Sequence, residues 1–259
     1  MKGKGKIVVA GLGAVGTPLA ALLSESYDVT TFDVHHPSLE TLRPIELLHI
    51  CYPFEIPDFL GTSASYIAGL EPAVTVINST VAVGTTRQLA ELSQRPVAHS
   101  PIRGKHNRLR AGLSHYVKFI GALDQESGAV VADHFAGAGV MTRVHIPPET
   151  TELAKLTETT YFALLIAWAQ EVERLADQVQ VEYDAIASFY EEIGFFPPVK
   201  YFPGVIGGDC VMPNLEILSS LNDSALLRAI RDSNQQKVER DRQRRADPDV
   251  AGARCQERS

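Results

Sequence analysis

The chain has 259 residues, 45% hydrophobic and 21% charged, an ordinary globular composition with room for an α/β domain and a smaller partner. A net charge of −7 excludes a general pull toward nucleic acid or an anionic membrane surface. Three scattered cysteines, Cys51, Cys210 and Cys255, argue against a disulfide framework, and no C-x-x-C or Cys/His cluster marks a metal site.

In chain order, the first informative stretch is Lys6 to Gly16. An apolar, β-prone run meets the turn Gly11-Leu12-Gly13-Ala14-Val15-Gly16, and an Ala/Leu-rich helical run follows from Thr17 to Ser24. Strand, G-x-G-x-x-G and helix in that order make a dinucleotide-binding fingerprint. Gly11 makes the tight turn, Gly13 lets backbone approach a pyrophosphate, and Gly16 lets the helix pack closely on the strand. Ala14 and Val15 lie at the helix start, where free N–H groups and the positive dipole end face the phosphates. A second strand, Asp28 to Asp33, ends in an acid about 20 residues after Gly13, the ribose position of the fingerprint. The Asp33 carboxylate would repel a 2′-phosphate, so NAD is expected rather than NADP. The basic start from Met1 to Lys6 resembles a signal peptide, but the apolar run behind it contains the glycine turn and reads as a strand. No apolar run approaches about 18 residues, so no membrane span is expected and the cytoplasm is the expected location.

Strand and helix signals go on alternating: strands at 46–51, 73–78, 96–98, 116–121 and 141–146, and helices at 57–70, after Thr86, and at 125–138. This is the rhythm of a doubly wound parallel sheet of the Rossmann type. Pro147-Pro148 marks a boundary. Helical periodicity then runs from Glu149 to Gln180, with further helices at 184–193, 215–221 and from Ser224. The expected division is an NAD-binding domain at 1–147, an all-helical domain with one long central helix at 148–225, and a polar helix with a disordered tail at 226–259.

Two stretches outside the glycine turn carry chemistry. In Glu152-Leu153-Ala154-Lys155-Leu156-Thr157-Glu158-Thr159, helical spacing places Glu152, Lys155 and Thr159 on one face. A lysine there can hold a substrate oxygen or act as a base, and an exposed Glu/Lys surface pair fits the same spacing. In Phe202-Pro203-Gly204-Val205-Ile206-Gly207-Gly208-Asp209-Cys210, glycines allow close backbone approach to a ligand, and the thiol falls near a helix start. A buried structural cysteine after a flexible loop fits those residues equally well.

Taken in order, four segments resemble the UDP-glucose/GDP-mannose dehydrogenase family: the Gly11–Gly16 turn, Ser79 to Thr86, Glu152 to Tyr161, and Phe202 to Cys210. The resemblance covers about residues 5 to 220. It implies that Cys210 attacks an aldehyde intermediate, that Lys155 stabilises the oxyanion, and that Thr80, with Tyr52, lies at the cofactor. Phe202, Gly204 and Gly207 would line the substrate. It also implies dimerisation through the long helix and oxidation of an alcohol on a sugar-like or hydroxy-acid substrate.

The departures from the family pattern are specific. Thr159 stands where the family has asparagine, Asn214 where it has aspartate, and Ile102 where it has the glutamate of a Pro-Glu pair. His106 occupies a second acidic position, and the chain ends before the family's further α/β domain. Arg103 and Lys105 beside His106 form an expected cationic edge for an anionic substrate. Two other readings stay open: a single-step dehydrogenase in which Cys210 only lines a pocket, and a silent NAD-binding module.

Overall fold

The computed structural model describes residues 6–33, 42–103, 116–193, 202–207 and 210–246. They divide into two compact units, residues 1–155 and 156–259.

The first unit is built on a seven-stranded sheet: β1 (Lys6–Ala10), β2 (Asp28–Phe32), β3 (Leu47–Ile50), β4 (Val74–Ile77), β5 (Val97–His99), β6 (Lys118–Ala122) and β7 (Thr142–His145). The strand order is β2-β1-β3-β4-β5-β6-β7. Pairing is parallel from β2 through β5, with Ala10 opposite Phe32 and Ile50, and Ile50 opposite Ile77. The expected all-parallel sheet is corrected at one seam. β6 runs antiparallel to β5, with Ala98 opposite Ala122, and β7 is parallel to β6. An apolar run looks the same in either direction, so its residues could not show that β6 returns beside β5.

The helices here are α1 (Gly16–Leu23), α2 (Phe59–Leu70), α3 (Thr85–Ser93) and α4 (Gln125–Gly137). Strand side chains alternate between faces, and this sheet buries both. Ile7 and Val9 pack with Leu19, Leu22 and Leu23 of α1 and Val131 and Phe135 of α4. Val8 and Ala10 pack on the other face with Phe59, Ile67 and Leu70 of α2 and Leu89 of α3. Two helix starts are fixed by aspartates: Asp58 accepts from the Gly61 N–H at 2.9 Å, and Asp124 from the Ser127 N–H at 2.8 Å.

Helix α5 (Glu149–Gln178) begins in the first unit and supplies most of its length to the second. The second unit adds α6 (Tyr183–Glu191), α7 (Val211–Leu221) and α8 (Ala225–Ala246). The segment expected as a solvated polar helix is instead packed along one stripe. Leu227, Ile230, Asn234 and Lys237 are buried, at helical spacing. Lys237 pairs with Glu173 of α5 at 2.8 Å, and Ser233 donates to Gln170 at 2.8 Å. The stripe is largely polar and satisfied by hydrogen bonds, so a search for apolar periodicity misses it. The expected tail, 247–259, lies outside the described residues. Among the described residues, no helix is long and apolar enough to cross a membrane.

Candidate active site

The glycine turn joins β1 to α1. Gly11 has φ +92, in the left-handed region, and a Cβ there would lie 2.7 Å from the Tyr52 nitrogen. A Cβ on Gly16 would lie 1.8 Å from the Gly11 carbonyl oxygen. Both glycines are therefore required by the chain's own packing. Gly13 differs, because a Cβ there would meet no atom within 4 Å. The start of α1, at Val15, has no side-chain cap; the Thr17 N–H donates to the Gly13 carbonyl at 3.2 Å, and Pro18 carries no N–H. Asp33 is exposed just beyond the end of β2, next to β1 in the sheet. A glycine with no packing role, an uncapped helix start and an exposed acid at the neighbouring strand end together fit a dinucleotide.

On the other side of β1 lie β3 and β4. Tyr52 follows β3, and its ring packs against Phe59 and Tyr66. Its hydroxyl shares a 2.7 Å hydrogen bond with Ser63, and burial holds the phenol above its ordinary range. The Ser79 hydroxyl donates to the Tyr52 carbonyl at 2.5 Å, tying the loop after β4 to the loop after β3. Thr80 is half-buried in that loop.

The loop after β4 is held at its far end by Glu152, from the first turn of α5. Glu152 is fully buried and accepts three hydrogen bonds: Gly84 N–H at 2.6 Å, Thr86 N–H at 2.8 Å and the Thr86 hydroxyl at 2.6 Å. Gly84 is the cap position of α3, with φ +94. The carboxylate thus caps α3 from a distant part of the chain. Burial pushes the Glu152 pKa up, opposed by the Thr86 and Gly84 bonds. The surface-pair reading of Glu152 is therefore wrong, because its carboxylate is used inside the unit. Lys155, one turn on, is half-buried.

His99 anchors the loop's near end. Its Nε2 lies 3.2 Å from the Ser79 carbonyl and its Nδ1 2.8 Å from the Thr151 hydroxyl. Burial lowers its pKa to about 3, so the ring is neutral. A carbonyl only accepts, so Nε2 carries the hydrogen and Nδ1 accepts from Thr151.

Under the same sheet, His49 Nε2 lies 3.0 Å from His134 Nε2, and Asn78 Nδ2 lies 3.1 Å from His49 Nδ1. Lys118 donates to the Ser100 carbonyl at 2.8 Å and sits over the Phe135 ring. The Arg103 guanidinium lies 5.2 Å from the Phe119 ring centre and 5.9 Å from that of Tyr116. Lys105 and His106 lie outside the described residues.

In the second unit, Cys210 is the cap residue of α7 and is partly exposed. That helix starts four residues earlier than its apolar pattern indicates, since Pro213 is tolerated in a first turn. Asn214 is buried, and its Nδ2 donates to Thr159 Oγ1 at 3.2 Å. Phe202, Gly204 and Gly207 are exposed, and a Cβ at either glycine would meet nothing within 4 Å. The loop is fixed by two residues the sequence reading missed. Gln170 donates to the Gly204 carbonyl at 2.7 Å. Asn234 accepts from the Ile206 N–H at 2.7 Å and donates to the Ile206 carbonyl at 3.1 Å. No local pattern marks them, since Gln170 lies on α5 and Asn234 on α8, 64 residues further along the chain.

Residues 149–236 match the UDP-glucose/GDP-mannose dehydrogenase family, central domain. The chain is 27% identical to the UDP-N-acetyl-D-mannosamine dehydrogenase of Pyrococcus horikoshii, over 89% of this chain and 68% of that protein. A solved structure of UDP-D-ManNAc dehydrogenase from Pyrococcus horikoshii superimposes with a TM-score of 0.77 at 22% identity, over 90% of this chain and 68% of the other. A 3-hydroxyisobutyrate dehydrogenase from Mycobacterium tuberculosis shares the fold, with a TM-score of 0.70 at 14% identity, over 88% of this chain and 92% of that one. The chain thus spans about two thirds of the length of the sugar-nucleotide dehydrogenases it matches.

Against the UDP-glucose/GDP-mannose dehydrogenase pattern, two departures become one contact: Thr159 and Asn214 are hydrogen-bonded to each other. The third, Ile102, is buried in the same apolar cluster as Ile7 and Phe135, where no carboxylate could meet water.

Proposed function

We propose that this chain is an NAD-dependent dehydrogenase that oxidises an alcohol of an anionic, sugar-nucleotide-like substrate. The observation that carries the reading is the glycine turn, in which Gly11 and Gly16 serve packing and Gly13 serves none. The likeness to relatives named dehydrogenases supports the reaction class.

Gly11, Gly13, Ala14, Val15 and Gly16 would hold the pyrophosphate, and Asp33 the adenosine ribose. Tyr52 and Thr80 would flank the other half. Bound NAD supplies the hydride acceptor. The Lys155 ammonium stabilises the developing alkoxide. Cys210 Sγ attacks the aldehyde carbon; the new C–S bond and the protonated oxygen give a thiohemiacetal, the point from which oxidation continues toward the acid. The 202–207 loop, held by Gln170 and Asn234, would meet the substrate, with Arg103 supplying positive charge. Helix α5 exposes Tyr161, Phe162, Trp168 and Leu175, an apolar set that supports a homodimer through this helix. The composition supports a cytoplasmic location.

Cys210→Ser should abolish formation of the acid, measured by mass spectrometry of the product after incubation with NAD and UDP-N-acetyl-D-mannosamine. Unchanged turnover would instead establish a single-step enzyme in which Cys210 only lines the pocket. That second reading is favoured by one observation, the burial of Ile102 where the family pattern has a glutamate.

A further inference from the structure

Two consecutive side chains at the start of α5 grip the two ends of one loop. Thr151 reaches Ser79 through His99, and Glu152 takes Gly84 and Thr86 directly. Between these anchors lie Thr80, the buried Val81, Ala82 and Val83. Ligands of doubly wound sheets lie outside the carboxyl ends of the strands. In the order β2-β1-β3-β4, a dinucleotide with its ribose at Asp33, just beyond β2, and its phosphates at β1 must extend toward β3 and β4. The gripped loop follows β4.

We propose that Glu152, assisted by the Thr151–His99 link, is a positioning residue that sets the 79–86 loop against the nicotinamide half of the cofactor. This rests on the dinucleotide reading above. The carboxylate is suited to the task because one rigid group meets three donors at once. Charge-assisted bonds to backbone N–H groups are the stronger kind. The same helical turn carries Lys155, so the grip relates the loop to the residue proposed to hold the substrate oxygen. Glu152 itself touches only protein.

The test uses the full chain and Glu152→Gln, which keeps the shape but turns an amide toward the Gly84 N–H. Amide exchange at Gly84 and Thr86 should quicken by about tenfold or more, as expected for the loss of a bond to a charged acceptor. By calorimetry, NAD should bind about tenfold more weakly. ADP, which carries only the adenosine and phosphates, should bind as it does to the wild type. Thr86→Val removes one hydroxyl donor and should move NAD affinity in the same direction if Glu152→Gln fails to fold, while Thr86→Ser should restore it. Equal weakening of ADP and NAD, or faster exchange with NAD affinity unchanged, would overturn the proposal. A wild-type chain that binds neither ligand would overturn the dinucleotide reading itself, a failure distinguished by its appearance before any substitution is made.

Discussion

Gly13→Ala is expected to melt at or above the wild-type temperature and yet to lose NAD binding. Its new Cβ meets no atom of the chain within 4 Å, and its backbone is not left-handed. Replacing glycine at such a position narrows the unfolded ensemble and stabilises by about 0.4–1 kcal/mol. The same methyl would stand where the pyrophosphate must approach, and affinity should fall about 100-fold, equivalent to ~2.8 kcal/mol. Gly16→Ala is the necessary contrast. Its Cβ would fall 1.8 Å from the Gly11 carbonyl oxygen and 3.1 Å from Cys51 Cβ, so α1 must move off the sheet. Overpacking of this kind costs about 1–3 kcal/mol or more, and this variant should lose both stability and binding. Thermal melts and NAD titrations of the two variants check the pair. A destabilised Gly13→Ala, or one that binds NAD normally, would deny this glycine its ligand role.

Acid should unfold the first unit well before its carboxylates titrate. Burial holds His99 at about 3 and His134 at about 4, and holds His49 well below its ordinary 6.5; the nearby Lys118 lowers all three further. These are bases with depressed folded pKa values. Their contribution is whole above about pH 6.5, and falls as the unfolded chain takes up protons the native state refuses. By about pH 5 His99 and His134 each remove about 2 kcal/mol, and His49 acts in the same direction. The sum for those two, about 4 kcal/mol, is a large part of a typical total stability of about 5–15 kcal/mol. Two other buried groups shape the alkaline side. Lys118, lowered by burial to about 7, makes stability rise with pH from about 7 toward 10.5, while Cys51, raised by burial to about 12, makes it fall above 9.0. Urea midpoints should therefore drop steeply from pH 7 to pH 5 and be greatest near pH 9. Equal midpoints at pH 7 and pH 5 would show that these histidines are not buried and neutral.

Much of the fold was legible because its signals are local. Seven apolar runs became seven strands, and the glycine turn joins β1 to α1 as its adjacent residues indicate. What escaped depended on partners far along the chain. Glu152 and Lys155 have the spacing of a surface pair, and only the fold shows that Glu152 meets Gly84 and Thr86, 68 and 66 residues away. Asn234 looked like solvated helix because a buried amide has the same letter as an exposed one. The direction of β6 was hidden for a similar reason, since alternation carries no arrow. Thr159 and Asn214 were visible as separate departures, and their contact is a property of the folded unit.

The activity proposed for this chain is hydride transfer from a sugar-nucleotide alcohol to NAD. Its most direct test is the absorbance of reduced nicotinamide when the full chain is mixed with NAD and, in turn, UDP-N-acetyl-D-mannosamine, UDP-glucose and GDP-mannose. Steady reduction of NAD is expected with at least one of them and none with NADP, because the exposed Asp33 carboxylate would repel the 2′-phosphate. A chain that binds NAD yet reduces it with none of the three would contradict the claim and leave a silent dinucleotide-binding module.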